Sequence, residues 1–228
     1  MHSSATAPRT FRELARPGWN AVVENRRPFM TIQALAVLAA AAYYCFPAVQ
    51  PALRVVADFK VRAGLPFAAA ATAFAGVVLP EVARSITRHK SSTAGDLGFQ
   101  AVLYAIVGST VDLLYRGLAI LLGSGLSFWL VAEKILIDQL VYSPLVSIPF
   151  STLMFLWRDE GFGSRGTFAA IRQGEFARRY TPLLITCWGF WAPVLVAVYA
   201  LPPDLQFLMF LCAQGAWSLL LVTVAKGE

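Results

Sequence analysis

The chain has 228 residues, of which 57% are hydrophobic and 14% charged, and its mean hydropathy is +0.61. Soluble domains carry about 25% charged residues, so a water-soluble globular domain is excluded; the apolar residues also gather in runs near the ~20 needed to cross a hydrocarbon core. The formal net charge of +6 comes from basic residues scattered between those runs, which speaks for membrane topology and against a nucleic-acid-binding face.

Taken in chain order, residues 1–28 form a basic arm with Arg9, Arg12, Arg16, Arg26 and Arg27. An anchor on the inner membrane face fits this arm better than an organellar transit peptide, the other reading of its Arg, Ser and Thr content. Residues 29–226 read as a single transmembrane helical domain. Six spans are predicted: Phe29–Val49, Leu65–Val82, Phe99–Leu122, Leu126–Phe150, Leu183–Leu201 and Leu205–Val224. The fold class is therefore all-α, a polytopic transmembrane helix bundle.

Between the first two spans, Pro51–Gly64 mixes Val55, Val56 and Phe59 with Arg54, Asp58, Lys60 and Arg62, the pattern of a short amphipathic helix lying along the interface. On the second span Ala68, Thr72 and Gly76 recur every four residues, a smooth face that lets a neighbouring backbone approach. The third and fourth spans meet at a tight turn, Gly123-Ser124-Gly125. Arg158–Thr181 is the longest polar stretch; Gly161, Gly163 and Gly166 predict an irregular start, and Thr167–Tyr180 a surface helix. Pro80, Pro144, Pro149 and Pro193 fall inside spans, where each removes a donor, frees a carbonyl one turn back and bends its helix.

With the N-terminus inside, the inner segments also hold Arg84, Arg88, Lys90, the five arginines between Arg158 and Arg179, and Lys226, whereas the outer ones hold only Arg54, Lys60 and Arg62. By the positive-inside rule both termini lie on the cytoplasmic or matrix-like side. Short loops and abundant alanine fit a bacterial inner membrane somewhat better than a mitochondrial inner or peroxisomal one.

Ionisable residues within spans cost roughly 2.5–3.5 kcal/mol each on insertion scales, and five of them fall near the 123–125 turn. Counting outward from it, Arg116 and Glu133 lie at nearly equal depth. Asp112 precedes Arg116 by four residues, and Lys134 precedes Asp138 by four, spacings that place each pair on one helix face. A polar network of Asp112, Arg116, Glu133, Lys134, Asp138 and Gln139 is predicted in the bundle interior. It reads either as self-paired scaffolding or as the lining of a polar pathway.

Catalytic chemistry finds little support. Asp112 and Asp138 supply two intramembrane carboxylates, as an aspartyl protease needs, but neither stands in a glycine–aspartate motif. There is no G-x-S-x-G, H-E-x-x-H or phosphate loop. Cys45, Cys187 and Cys212 are isolated, and the histidines His2 and His89 fall outside the spans, so no metal and no cofactor are expected. An enzyme is not expected.

Lys134, Asp138, Gln139 and Pro144 form a K-x-x-x-D-Q-x-x-x-x-P pattern, followed by Arg179-Tyr180, Trp188, Trp191, Pro193, Tyr199, Pro202 and Trp217. In these residues the chain resembles the Mpv-seventeen, or twenty-two-kilodalton peroxisomal membrane protein, family. The resemblance covers about residues 76–226 and is most specific over 134–217. It departs at Ala192, which separates Trp191 from Pro193, at Ala197, at Gln206 and at Ser218; the first span lies outside the shared part. The resemblance implies an all-helical membrane protein, usually drawn with four spans, that acts as a weakly selective channel or permeability factor for small solutes. The alternative is a structural or assembly protein whose charged hairpin holds the bundle or docks a partner. Expected partners are the lipid bilayer and small polar solutes or ions, with a homo-oligomer left open and no nucleic acid.

Overall fold

The computed structural model describes residues 10–86 and 92–224, and these are helical apart from short connections. His2, Arg9, Arg88, His89, Lys90 and Lys226 lie outside the described residues. Among the described residues, five helical stretches are long and apolar enough to cross a membrane: Arg26–Cys45, Pro47–Ile86, Ala94–Leu122, Phe128–Asp159 and Glu175–Tyr199.

The arm folds as α1 (Phe11–Glu24). Its start is fixed by a capping box: the Thr10 hydroxyl accepts from the Glu13 amide, and the Glu13 carboxylate accepts from the Thr10 amide at 2.9 Å. A break at Asn25 leads into α2 (Arg26–Cys45). α3 (Gln50–Ala73) contains a real interruption at Gly64, which has φ 61° and ψ −140°, values glycine adopts at little cost. The amphipathic segment before Gly64 is thus a separate helical rod from the span that follows. That span continues through a wide π-type turn, Phe74–Val78, into α4 (Leu79–Ile86).

α5 (Ala94–Leu122) is capped by Thr93, whose hydroxyl accepts from the Asp96 amide. After the Gly123 turn come α6 (Phe128–Ile137), a second π-type segment (Asp138–Ser147) and α7 (Ile148–Asp159). The helix expected over 167–180 is instead two: α8 (Ser164–Arg172), and the first turns of α9 (Glu175–Tyr199). Gly166 therefore sits within a helix, and Gly174, with φ 82°, is the stop between the two. α10 (Pro203–Val224) coincides with the last predicted span. Several helices outrun their predicted spans because polar turns prolong them at the ends, where hydropathy no longer reports on the backbone.

α5 packs along α3 rather than along α6, from which it diverges after the turn. The seam uses the small residues: Ala68 and Thr72 are fully buried, and a side chain at Gly108 would run into Thr72 and the Ala68 carbonyl, as one at Gly76 would into Tyr104. α1 and α2 lie against α9, with Gly18 on the Pro182 backbone and Phe29 edge-on to Phe190 at 5.2 Å. The core gathers around α9 and α10, where Phe190, Val194, Val198, Tyr199 and Phe207 are excluded from solvent.

The carbonyls freed by Pro193 and Pro144 find donors. Pro193 cannot pair with Gly189 four residues back, and the Gln33 side-chain amide of α2 donates to the Gly189 and Phe190 carbonyls at 3.0 and 3.1 Å. In the second π-type segment each amide reaches five residues back, so Pro144 leaves the Gln139 carbonyl open. The Trp188 indole of α9 donates to it at 2.7 Å. The Tyr180 hydroxyl donates to the Pro144 carbonyl at 2.9 Å. Trp188 and Pro144, read separately as motif residues, form a single structural unit.

Candidate functional site

The predicted polar network does not form one cluster. Asp112, fully buried on α5, is ion-paired on both carboxylate oxygens, with Lys60 at 2.5 Å and Arg116 at 2.6 Å. Lys60 comes from α3, is 4% exposed, and its ammonium also lies 5.3 Å from the centre of the Phe207 ring. Lys60, expected on an amphipathic helix at the outer interface, instead enters the bundle. Ala57, three residues earlier and so on the same helix face, is also buried.

Lys134 is buried but does not pair with Asp138. Its ammonium donates to the Gly123 carbonyl at 2.6 Å, the cap of α5. Helix side chains lean toward their own N-terminus, which for Lys134 is the turn, and the unpaired carbonyls at the end of α5 hold negative charge there. Glu133 is exposed on α6, and among the described residues it forms no ion pair with Arg116, which is held by Asp112. The expected meeting of acids and bases across the 123–125 hairpin is corrected to three separate arrangements. The cross-helix pairing runs between α3 and α5.

Asp138 stands apart. It is 6% exposed. One carboxylate oxygen accepts from the Tyr199 hydroxyl at 2.7 Å, and the other from the Gln139 amide nitrogen at 3.1 Å and the Ser143 hydroxyl at 3.5 Å. Among the described residues it has no cationic partner. The Gln139 amide is oriented by its donation to Asp138, and this leaves its carbonyl oxygen buried without a donor.

Both residues open onto a half-enclosed cavity of about 360 Å³ bounded by α5, the π-type segment with α7, α9 and α10. Gln139, Ser143, Ser147, Ser151 and Phe155 line it at four-residue intervals. In a straight α-helix such a row would rotate by ~40° per step; the wider π-type turn at 138–147 keeps the first part of it on one face. Thr186, Cys187 and Gln214 add polar atoms from α9 and α10, and Tyr115, Trp191, Phe210 and Trp217 supply aromatic walls. Among the described residues, no Lys, Arg or His side chain lines the cavity. The serine row was legible in the sequence as a four-residue repeat and was overlooked because single serines in apolar helices are unremarkable.

The far end of the row is covered. Phe155 meets Phe99 edge-on at 5.8 Å, and the Arg158 guanidinium lies 5.0 Å from the Phe155 ring centre. Arg158 pairs with Asp159 at 2.8 Å, and Asp159 also accepts from Arg179 at 2.5 Å. Asp112 does not line the cavity, so the two carboxylates that an aspartyl protease would need do not share it.

Comparison with known proteins finds no matching family model, no matching curated protein and no matching solved structure. Pro144, Trp188, Trp191, Pro193 and Trp217 are placed around the cavity or on the backbone beside it; Pro202 precedes α10.

Proposed function

We propose that the protein is an integral membrane protein and that this cavity is part of a pathway for small polar solutes, making it a weakly selective channel or permeability factor. The observation that carries the reading is the polar row from Gln139 to Ser151, which lines a cavity inside an otherwise apolar bundle. Polar groups in a lipid-spanning bundle are costly unless they face one another or water, and this row faces an opening. The resemblance to the Mpv-seventeen family supports the same reading. Protein reconstituted in liposomes should release small neutral solutes faster than empty vesicles, and Ser147→Trp, which fills the cavity, should return release to background while the protein stays folded. Equal release from empty and wild-type vesicles removes the proposal.

The reading includes six spans with both termini on the inner side, supported by the basic residues of alternate segments. Single cysteines at Ser124 and Ser164, in a chain lacking Cys45, Cys187 and Cys212, should then label from opposite sides of the membrane; labelling from one side overturns the arrangement.

A second reading, a structural or assembly protein, is favoured by one observation. Lys60, Asp112 and Arg116 satisfy one another, and Lys134 is occupied with the end of α5. For these residues a scaffold role is sufficient.

A further inference from the structure

We infer that the cavity selects small organic cations, namely protonated amines carrying an apolar or aromatic body. The inference rests on the solute-pathway reading above and names what that site prefers.

Three observations converge on one ligand chemistry. The first is charge. Asp112 faces two cations, Lys60 faces Asp112, and Lys134 faces a helix C-terminus. Asp138 has three hydrogen-bond donors and no cation among the described residues. A buried carboxylate calls for a compensating positive charge, and the side open to one is the cavity.

The second is hydrogen bonding. The Gln139 carbonyl oxygen is buried and lacks a donor, although its residue is only 6% exposed. Buried polar atoms of native proteins are satisfied in the great majority of cases. Asp138 and Gln139, which carry these two acceptors, both line the cavity, and an ammonium group has several donors to give. A hydroxyl can satisfy one of them but brings no charge, and a carboxylate would be repelled.

The third is the aromatic part of the lining. Trp191 and Phe210 stack at 5.4 Å with an interplanar angle of 25°, and Tyr115 and Trp217 also line the cavity. Aromatic faces attract cations, most strongly when water is excluded, and they also hold an apolar body. The same features argue against a bare divalent ion. Calcium takes six to eight oxygen ligands and magnesium demands a near-ideal octahedron, whereas this lining offers one carboxylate already shared by three donors, with otherwise neutral amide and hydroxyl oxygens.

The test uses the full chain in lipid nanodiscs with three probes of similar shape: phenethylammonium, 2-phenylethanol and 3-phenylpropionate. Binding is followed by calorimetry and by tryptophan fluorescence, since Trp191 and Trp217 line the cavity. Wild-type protein should bind phenethylammonium about tenfold or more tightly than 2-phenylethanol, the scale of a hydrogen bond to a charged group, and 3-phenylpropionate least. Asp138→Asn should erase that preference, and Gln139→Met should reduce it. Equal binding of the three probes, preference for the carboxylate, or no binding of any probe to wild-type protein overturns the inference, as does a preference that survives in folded Asp138→Asn protein. The wild-type comparison decides even if a variant fails to fold. Amine binding without solute release leaves this site standing and removes the pathway reading; release of neutral solutes without amine preference does the reverse.

Discussion

Asp112→Ala is expected to lower stability by about 3–5 kcal/mol, the cost of leaving a buried charge without its partner. Lys60 is 4% exposed and has Asp112 on one side and the Phe207 ring on the other. Removal of the carboxylate strands that ammonium in the seam between α3 and α5. Arg116 is less affected, because its side chain is 41% exposed and can reach toward polar surroundings. The double variant Lys60→Met/Asp112→Leu removes both buried charges and fills similar volume, so it should recover most of the loss; buried ion pairs replaced by apolar residues are often neutral or better. Denaturation of both variants in lipid or detergent micelles measures the effect. If Asp112→Ala melts like wild type, the Lys60–Asp112 pair is not the seam's charge pair. Solute release by the folded double variant adds a second result: unchanged release places these charges outside the pathway.

Asp138→Asn should have the opposite signature, near-normal folding with altered transport. Asparagine retains an acceptor for the Tyr199 hydroxyl, which lies 2.7 Å from the carboxylate, and nearly the same volume. What vanishes is, among the described residues, the one charge on the cavity lining without a cationic partner. The ratio of cation to neutral-solute flux in liposomes should fall by about tenfold, as expected for losing a charge-assisted contact. Asp138→Leu is the harsher change. It leaves the Tyr199, Ser143 and Gln139 donors without an acceptor and should cost about 1–3 kcal/mol per stranded group. An unchanged flux ratio in folded Asp138→Asn protein would mean that the carboxylate does not meet the permeating solute.

These outcomes separate two sets of residues that look alike in the sequence. Asp112 and Asp138 are both carboxylates in apolar helices, each preceded or followed by a basic residue at four-residue spacing. Asp112 keeps its expected partner, Arg116, because both sit on one regular helix. Asp138 loses Lys134 because Lys134 reaches back to Gly123, while Asp138 itself faces Tyr199 on α9. The spacing rule holds where nothing competes, and fails where a helix end and a third helix offer better partners.

The proline positions show the same division. That Pro144 and Pro193 would each free a carbonyl follows from the missing amide alone. That the donors would be Trp188 and Gln33 depends on α2, α9 and the π-type segment lying side by side. The turn at 174 was likewise available in principle, since glycine favours the positive φ found there, yet the earlier glycines at 161, 163 and 166 carried the same signal and only some of them are turns.

By itself the sequence determined the class of protein, the helical content, the approximate course of each apolar helix and the presence of buried charges near the 123–125 turn. Those properties are local: hydropathy, proline and glycine act on the residues that carry them and on the next turn of backbone. The tertiary structure alone decided that Lys60 enters the bundle, that Glu133 stays outside it, and that Gln139 through Ser151 line a cavity. Each depends on which helices cross and at what rotation, and that is settled by packing between segments far apart in the chain, which no periodicity along a single helix encodes.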